Sequence, residues 1–125
     1  MKKFLLLVCC LLVAATAAWG VEVQEGVMTT AVEGREPVDN VEVFLAADGQ
    51  LSCFTKIAGA VGATEIQHLW YRGEQLMSRV VLPVKSSTWR TWSTKSFLPD
   101  WRGDWRVEIR DEEGMLLKTL EFKLI

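Results

Sequence analysis

From about residue 21 onward, apolar and polar positions alternate with a period of two, in short runs separated by glycine, proline or acidic turns. That period sends successive side chains to opposite faces, as in a half-buried β-strand. Between Gln50 and Ala58, Leu51, Cys53, Thr55 and Ile57 share one face, opposite Ser52, Phe54 and Lys56. Gly59 and Gly62 bracket the turn that follows. Thr64 to Arg72 sets Ile66, His68 and Trp70 against Glu65, Gln67, Leu69 and Tyr71, and Gly73 turns the chain. Gln75 to Val84 follows with Leu76, Val80, Leu82 and Val84 on one side. Pro83 has no N–H to give to a ladder and marks this run as a sheet edge. Trp89 to Phe97 is rich in Thr, Ser and Trp, and Asp104 to Arg110 alternates Trp105, Val107 and Ile109 against Arg106, Glu108 and Arg110. Asp111-Glu112-Glu113-Gly114 predicts a hairpin loop into Leu116 to Leu124, where Leu120, Phe122 and Leu124 are in register. Ahead of these, Glu22 to Val32 predicts an opening strand and Gly34-Arg35-Glu36-Pro37 a turn out of it. About seven short strands with a turn signal every 8–12 residues predict an all-β fold, an antiparallel β-sandwich of the immunoglobulin-like Greek-key kind. A small barrel is the alternative.

Residues 1–20 break the pattern. Met1-Lys2-Lys3 precedes an unbroken apolar run from Phe4 to Ala15 and a small-residue stretch, Thr16-Ala17-Ala18-Trp19-Gly20. A short basic segment, an apolar stretch of about 7–15 residues and a small-residue exit are what an export signal requires, and the run is short for a spanning helix. Residues 1–20 are therefore expected to form a cleaved signal helix, with a mature domain at 21–125 that starts at Val21 or, if the cut follows Ala17, slightly earlier. A lipid anchor on Cys9 would need a small residue before it and a longer apolar stretch ahead. The expected location is the periplasm or the extracellular space, with membrane contact only through the signal. Removing the leader takes away Lys2 and Lys3, leaving 12 basic against 16 acidic side chains. That balance disfavours nucleic acid or an anionic membrane as partner. It also removes Cys9 and Cys10, so Cys53 has no intramolecular disulfide partner and the domain must hold by its core.

Four stretches in order carry a resemblance: Leu51-Ser52-Cys53-Phe54-Thr55-Lys56; His68-Leu69-Trp70-Tyr71-Arg72-Gly73; Trp89-Arg90-Thr91-Trp92-Ser93-Thr94-Lys95; and Leu98-Pro99-Asp100-Trp101-Arg102-Gly103-Asp104-Trp105-Arg106-Val107. Together with Ala31-Val32-x-x-Arg35-x-Pro37 they resemble the bacterial domain of unknown function 2914 over nearly the whole mature chain, here as a stand-alone secreted version. The resemblance implies an exported or membrane-anchored domain without an assigned activity, and carries over no functional residues. Gly103-Asp104-Trp105-Arg106-Val107 also looks like the start of strand F in bacterial immunoglobulin-like modules. Cys53 then stands near the strand B cysteine of antibody domains and Val107 in its partner's place.

Candidate chemistry is sparse. Cys53 and His68 lie on consecutive strands and could face each other as nucleophile and base. Both, however, fall on the faces assigned to the core, where a thiol is usually inert and a histidine usually hydrogen-bonded. One histidine does not make a zinc site, and Asp111 to Glu113 lack the spacing of a calcium loop. Asp100 is expected to cap its turn, and no cofactor or metal is expected. What remains is an aromatic and basic set: Trp89, Arg90 and Trp92 on one strand, Trp101 and Arg102 at a corner, with Lys95 nearby. Trp89 and Trp92 must point to opposite faces, so at least one is exposed or at a rim. Tryptophan beside a guanidinium suits a protein partner, or stacking on a sugar. Clamping of loops is the structural reading of the same residues. The expected function is a noncatalytic protein-interaction or structural module of the periplasm or cell envelope, partnered by an envelope protein. Binding of a carbohydrate or envelope polymer through Trp and Arg is the alternative, and an enzyme using Cys53 and His68 the least favoured.

Overall fold

The structure, a computed structural model, describes residues 20–125. Residues 1–19, with Cys9, Cys10 and Trp19 and so nearly all of the expected signal segment, lie outside the described residues. Seven long strands carry the fold: β1 (Glu22–Thr29), β5 (Gln50–Ala58), β6 (Thr64–Arg72), β7 (Gln75–Val84), β8 (Thr88–Ser96), β9 (Gly103–Asp111) and β10 (Leu116–Leu124). Three two-residue strands, β2 (Val32–Glu33), β3 (Glu36–Pro37) and β4 (Val43–Phe44), and two 3-10 turns, at Ala46–Asp48 and Pro99–Trp101, complete it.

The strands form two facing sheets, ordered β1-β5-β8 and β4-β10-β9-β6-β7, with β2 and β3 paired as a separate small hairpin. All pairings are antiparallel except β4 with β10. The chain changes sheet on either side of β4, between β5 and β6, between β7 and β8, and between β8 and β9. This is the strand arrangement of an immunoglobulin-like sandwich, and the barrel alternative does not apply.

The inward faces meet in one core. Met28, Leu51, Cys53, Ile57, Ile66, Trp70, Val84, Trp105, Val107, Ile109, Phe122 and Leu124 are all buried in it. Phe97, just past β8, ties its aromatic part together: its ring lies 5.1 Å from Trp105, 5.9 Å from Phe122 and 6.4 Å from Trp70. Burying a side chain of this size contributes about 1.5–3 kcal/mol, and each well-placed ring pair about 0.5–1.5 kcal/mol more. With Cys53 a free, buried thiol, these contacts replace the bridge of antibody domains.

Three departures from the sequence pattern have local causes. The opening strand stops at Thr29 instead of running to Val32. There Asp39 accepts hydrogen bonds from Thr29 Oγ1 (2.7 Å), Thr30 N (2.8 Å) and Thr30 Oγ1 (2.6 Å), pinning the chain where it leaves the sheet. Leu76 falls on the opposite face from Val80. A bulge between the Trp70–Ser78 and Tyr71–Leu76 pairs inserts an extra residue into β7 and inverts the alternation before it. Asp100 does not cap its turn with its side chain. Its carbonyl, with that of Arg102, instead accepts from Arg72 Nη2, at 2.8 and 3.2 Å.

Candidate functional site

Strand β8 is an edge of the three-stranded sheet, and its registered neighbours show which side chains face out. Phe54 pairs with Trp92 and Lys56 with Arg90 on the outer face, whereas Cys53 pairs with Ser93 and Ile57 with Trp89 on the inner. The opposite orientation of Trp89 and Trp92 expected from alternation is therefore observed. Trp89 packs half-buried against the core, with the Arg35 guanidinium 6.0 Å from its ring. Trp92 keeps 38% of its surface exposed and stacks on Phe54, with centroids 6.4 Å apart and planes 22° from parallel. Phe54 is itself fully buried although it lies on the outer face, so Trp92 rests on a fixed platform.

Beside it, Arg90 Nε lies 2.9 Å from Glu36 Oε1 without the alignment of a hydrogen bond. The pair ties the β2–β3 hairpin to β8. That hairpin turns through Gly34 (φ 58°) and Arg35 (φ 64°), a left-handed pair that glycine accepts readily and arginine does not. On the inner side of the same edge, Lys95 Nζ donates to Ser78 Oγ of β7 at 2.8 Å and sits 5.3 Å from the Trp101 ring. Desolvation lowers its pKa below the ordinary lysine value.

The five candidate residues do not converge on one patch. Trp101 lies half-buried on the core, its carbonyl accepting from Trp105 Nε1 at 2.7 Å. Arg102 holds Arg72 through its backbone, leaving its side chain in solvent. The corner is thus a clamp, as the structural reading of those residues had it. Trp92 is exposed on the rim of β8, with the half-buried Arg90 beside it.

Cys53 and His68 do face inward from opposite sheets, but both are completely buried. Burial raises the Cys53 pKa far above the usual thiol value and lowers that of His68 to about 3. The imidazole bonds to Ser93 Oγ through Nδ1 (2.6 Å) and to Thr55 Oγ1 through Nε2 (3.3 Å), rather than to Cys53. Trp70 Nε1 donates to the same Ser93 Oγ at 3.1 Å, and Thr55 Oγ1 donates to the Thr91 carbonyl at 3.0 Å. Donor counting fixes the directions. The Thr91 carbonyl can only accept, so Thr55 spends its one proton there and must accept from Nε2–H; Nδ1 of the neutral ring then accepts the Ser93 proton, while Ser93 Oγ accepts from the indole. Every side-chain polar atom of this His68 network is satisfied, and neither ring nitrogen is open to a substrate. Ser93 and Thr55 escaped the sequence reading because their roles depend on pairing across the sandwich, which no local spacing reports.

The open face of the larger sheet carries another network that the sequence reading passed over. Glu108 is flanked by Arg106 Nε at 3.0 Å and Arg110 Nη2 at 2.8 Å, which, against the opposing effect of desolvation, hold its carboxyl below the usual range. Arg106 also lies 4.2 Å from the Tyr71 ring. Among the described residues no cluster of His, Cys, Asp and Glu could hold a metal ion, and no helix is long and apolar enough to cross a membrane.

The model of a family described as a protein of unknown function (DUF2914) matches residues 63–124, strands β6 to β10, just under half of the chain. Three of the four resembling stretches fall within the match; Leu51 to Lys56 and the Ala31 to Pro37 opening lie before it. The match supports the resemblance over those strands. No curated protein matches the chain. Among solved structures, a β-glucosidase from Kluyveromyces marxianus in complex with glucose is similar, with a TM-score of 0.49 and 9% identity over 86% of this chain. The matched part is 14% of that protein's chain.

Proposed function

We propose that the domain is a noncatalytic protein-interaction module of the periplasm or cell envelope, which captures an extended segment of a protein partner along the rim of β8. The observation that carries this is Trp92, exposed on an unpaired edge strand and braced from beneath by Phe54. An edge strand offers a row of backbone donors and acceptors, and a rigid aromatic beside it supplies the anchor that strand addition uses for specificity. Charge favours an acidic partner. Residues 75–99, which contain both β7 and β8, hold four basic side chains and no acidic one, in a chain that is acidic overall.

A photo-crosslinker placed at Thr94, which is exposed on the outer face of β8, tests the proposal. It is expected to give one discrete protein adduct in an envelope fraction, at least tenfold weaker when Trp92→Ala is introduced. Equal labelling from Thr119 on β10, or an adduct indifferent to Trp92→Ala, overturns it. A Trp92-dependent fluorescence shift with envelope polysaccharide and no protein adduct would favour the glycan reading instead.

A further inference from the structure

Lys95 is a cation without a counter-ion. It is registered with Leu51 of the core, so it projects from the inner face of β8, into the mouth between β8 and β7, the edge strands of the two sheets on this side of the sandwich. No carboxylate among the described residues lies within ion-pair distance of it, and the groups it touches, the Ser78 hydroxyl and the Trp101 ring, are neutral. Half-burial without a counter-charge costs an ammonium part of its solvation, and the ring returns only some of that. Ser78 Oγ accepts one proton from Nζ. The other two ammonium protons and the proton of the hydroxyl itself meet no acceptor among the described residues. Free donors on two atoms 2.8 Å apart suit a carboxylate, which accepts through both of its oxygens.

Only part of the β8 edge can take a partner. At its first half, Glu36 and Arg35 of the β2–β3 hairpin hold Arg90 and Trp89, and Ser86 Oγ bonds the Thr88 carbonyl. From Trp92 to Ser96, the backbone is bonded to β5 and to no other strand among the described residues. Residues opposite each other on neighbouring strands share a face. On a segment added there, the residue opposite Trp92 therefore points to the outer face, and the residue opposite Lys95, three positions away, points into the mouth. We propose that the segment captured on β8 carries an apolar and an acidic residue three positions apart, the first packed on Trp92 and the second bound by Lys95 and Ser78. The proposal rests on the strand-addition reading above and specifies the chemistry of the partner. In a parallel segment the acid follows the apolar residue, and in an antiparallel one it precedes it, so the order reports the direction of the added strand. Trp92 supplies contact area and Lys95 discrimination, because a basic residue in the mouth would meet a like charge and an amide would leave the ammonium unneutralised.

Selection of the purified protein against a random peptide library displayed on phage tests this. The enriched peptides are expected to share an aromatic or aliphatic residue with an acidic one three positions from it, in one of the two orders. Trp92→Ala should abolish the enrichment. Lys95→Met should keep the apolar position and lose the preference for the acid, whereas Lys95→Arg should keep both. For a selected peptide made synthetically, changing its acid to the amide should weaken binding to the unaltered protein by about tenfold or more and leave binding to Lys95→Met unchanged. A lysine that only braces the fold would show no such coupling. If Lys95→Met proves unfolded by circular dichroism, the amide peptide against the unaltered protein decides, since it alters nothing in the domain. A Trp92-dependent consensus without an acid at that spacing, or an amide peptide that binds equally well, overturns this inference and leaves strand addition standing. No enrichment, or a consensus indifferent to Trp92→Ala, overturns strand addition and the inference with it.

Discussion

At the scale of single residues, His68 shows how a chemically suggestive side chain becomes structural. Its neutrality in the fold, caused by burial, links stability to pH. The folded pKa of about 3 lies below the ordinary histidine value of 6.5, so the unfolded chain takes a proton first as pH falls. The contribution is complete above about pH 6.5 and is lost toward pH 3, with a limiting slope of about 1.4 kcal/mol per unit. Denaturant melts between pH 7 and 4.5 are expected to show this decline, and His68→Gln, which can accept from Ser93 and donate to Thr55 without titrating, should flatten it. A decline that begins only near pH 4.5 would instead report Glu108 and Asp39, whose pKa values are held low and whose contribution goes as they protonate. The inward placement of His68, Cys53 and Trp70 was legible from alternation alone. Their hydrogen-bond partners were not, since Ser93 lies 25 residues from His68 in sequence.

At the scale of elements, strand positions followed period-two alternation closely: Gln50–Ala58 and Thr64–Arg72 have the bounds that the pattern assigns. Where it failed, at Leu76 and beyond Thr29, a bulge or a side-chain bracket intervened, and neither leaves a mark in hydropathy. The β2–β3 hairpin is an element under strain, because Arg35 occupies a left-handed position. Arg35→Gly is expected to raise stability by about 0.5–1 kcal/mol, read from urea midpoints at unchanged slope, less whatever the distant Arg35–Trp89 contact contributes. Gly34→Ala should move the midpoint the other way. The rim of β8 was half legible: the sequence marked Trp92 and Arg90, yet it also marked Trp89, Trp101 and Arg102. Only the fold separates the β8 rim pair from the clamp, because which of two alternating tryptophans faces the core depends on the opposing sheet.

At the scale of the whole molecule, stability rests on one aromatic core without a covalent staple. The melting temperature of the domain of residues 21–125 is therefore expected to be unchanged by reductant. Cys53 should be unreactive toward a thiol reagent until the protein unfolds and then react once, so prompt labelling of the native state would contradict its burial. The sandwich itself was readable from strand count and turn spacing. Its β4 segment was not, since two residues carry no period. Yet β4 closes the larger sheet by running parallel to β10, with Lys123 N bonded to the Glu42 carbonyl, Ile125 N to that of Phe44 and Ala46 N to that of Ile125, at 2.8, 2.9 and 2.9 Å. A pull that separates the amino-terminal side of β4 from the carboxyl-terminal end of β10 loads these three bonds together in shear, instead of peeling them one after another. Small as it is, β4 gives the domain a mechanical latch against tension along the chain.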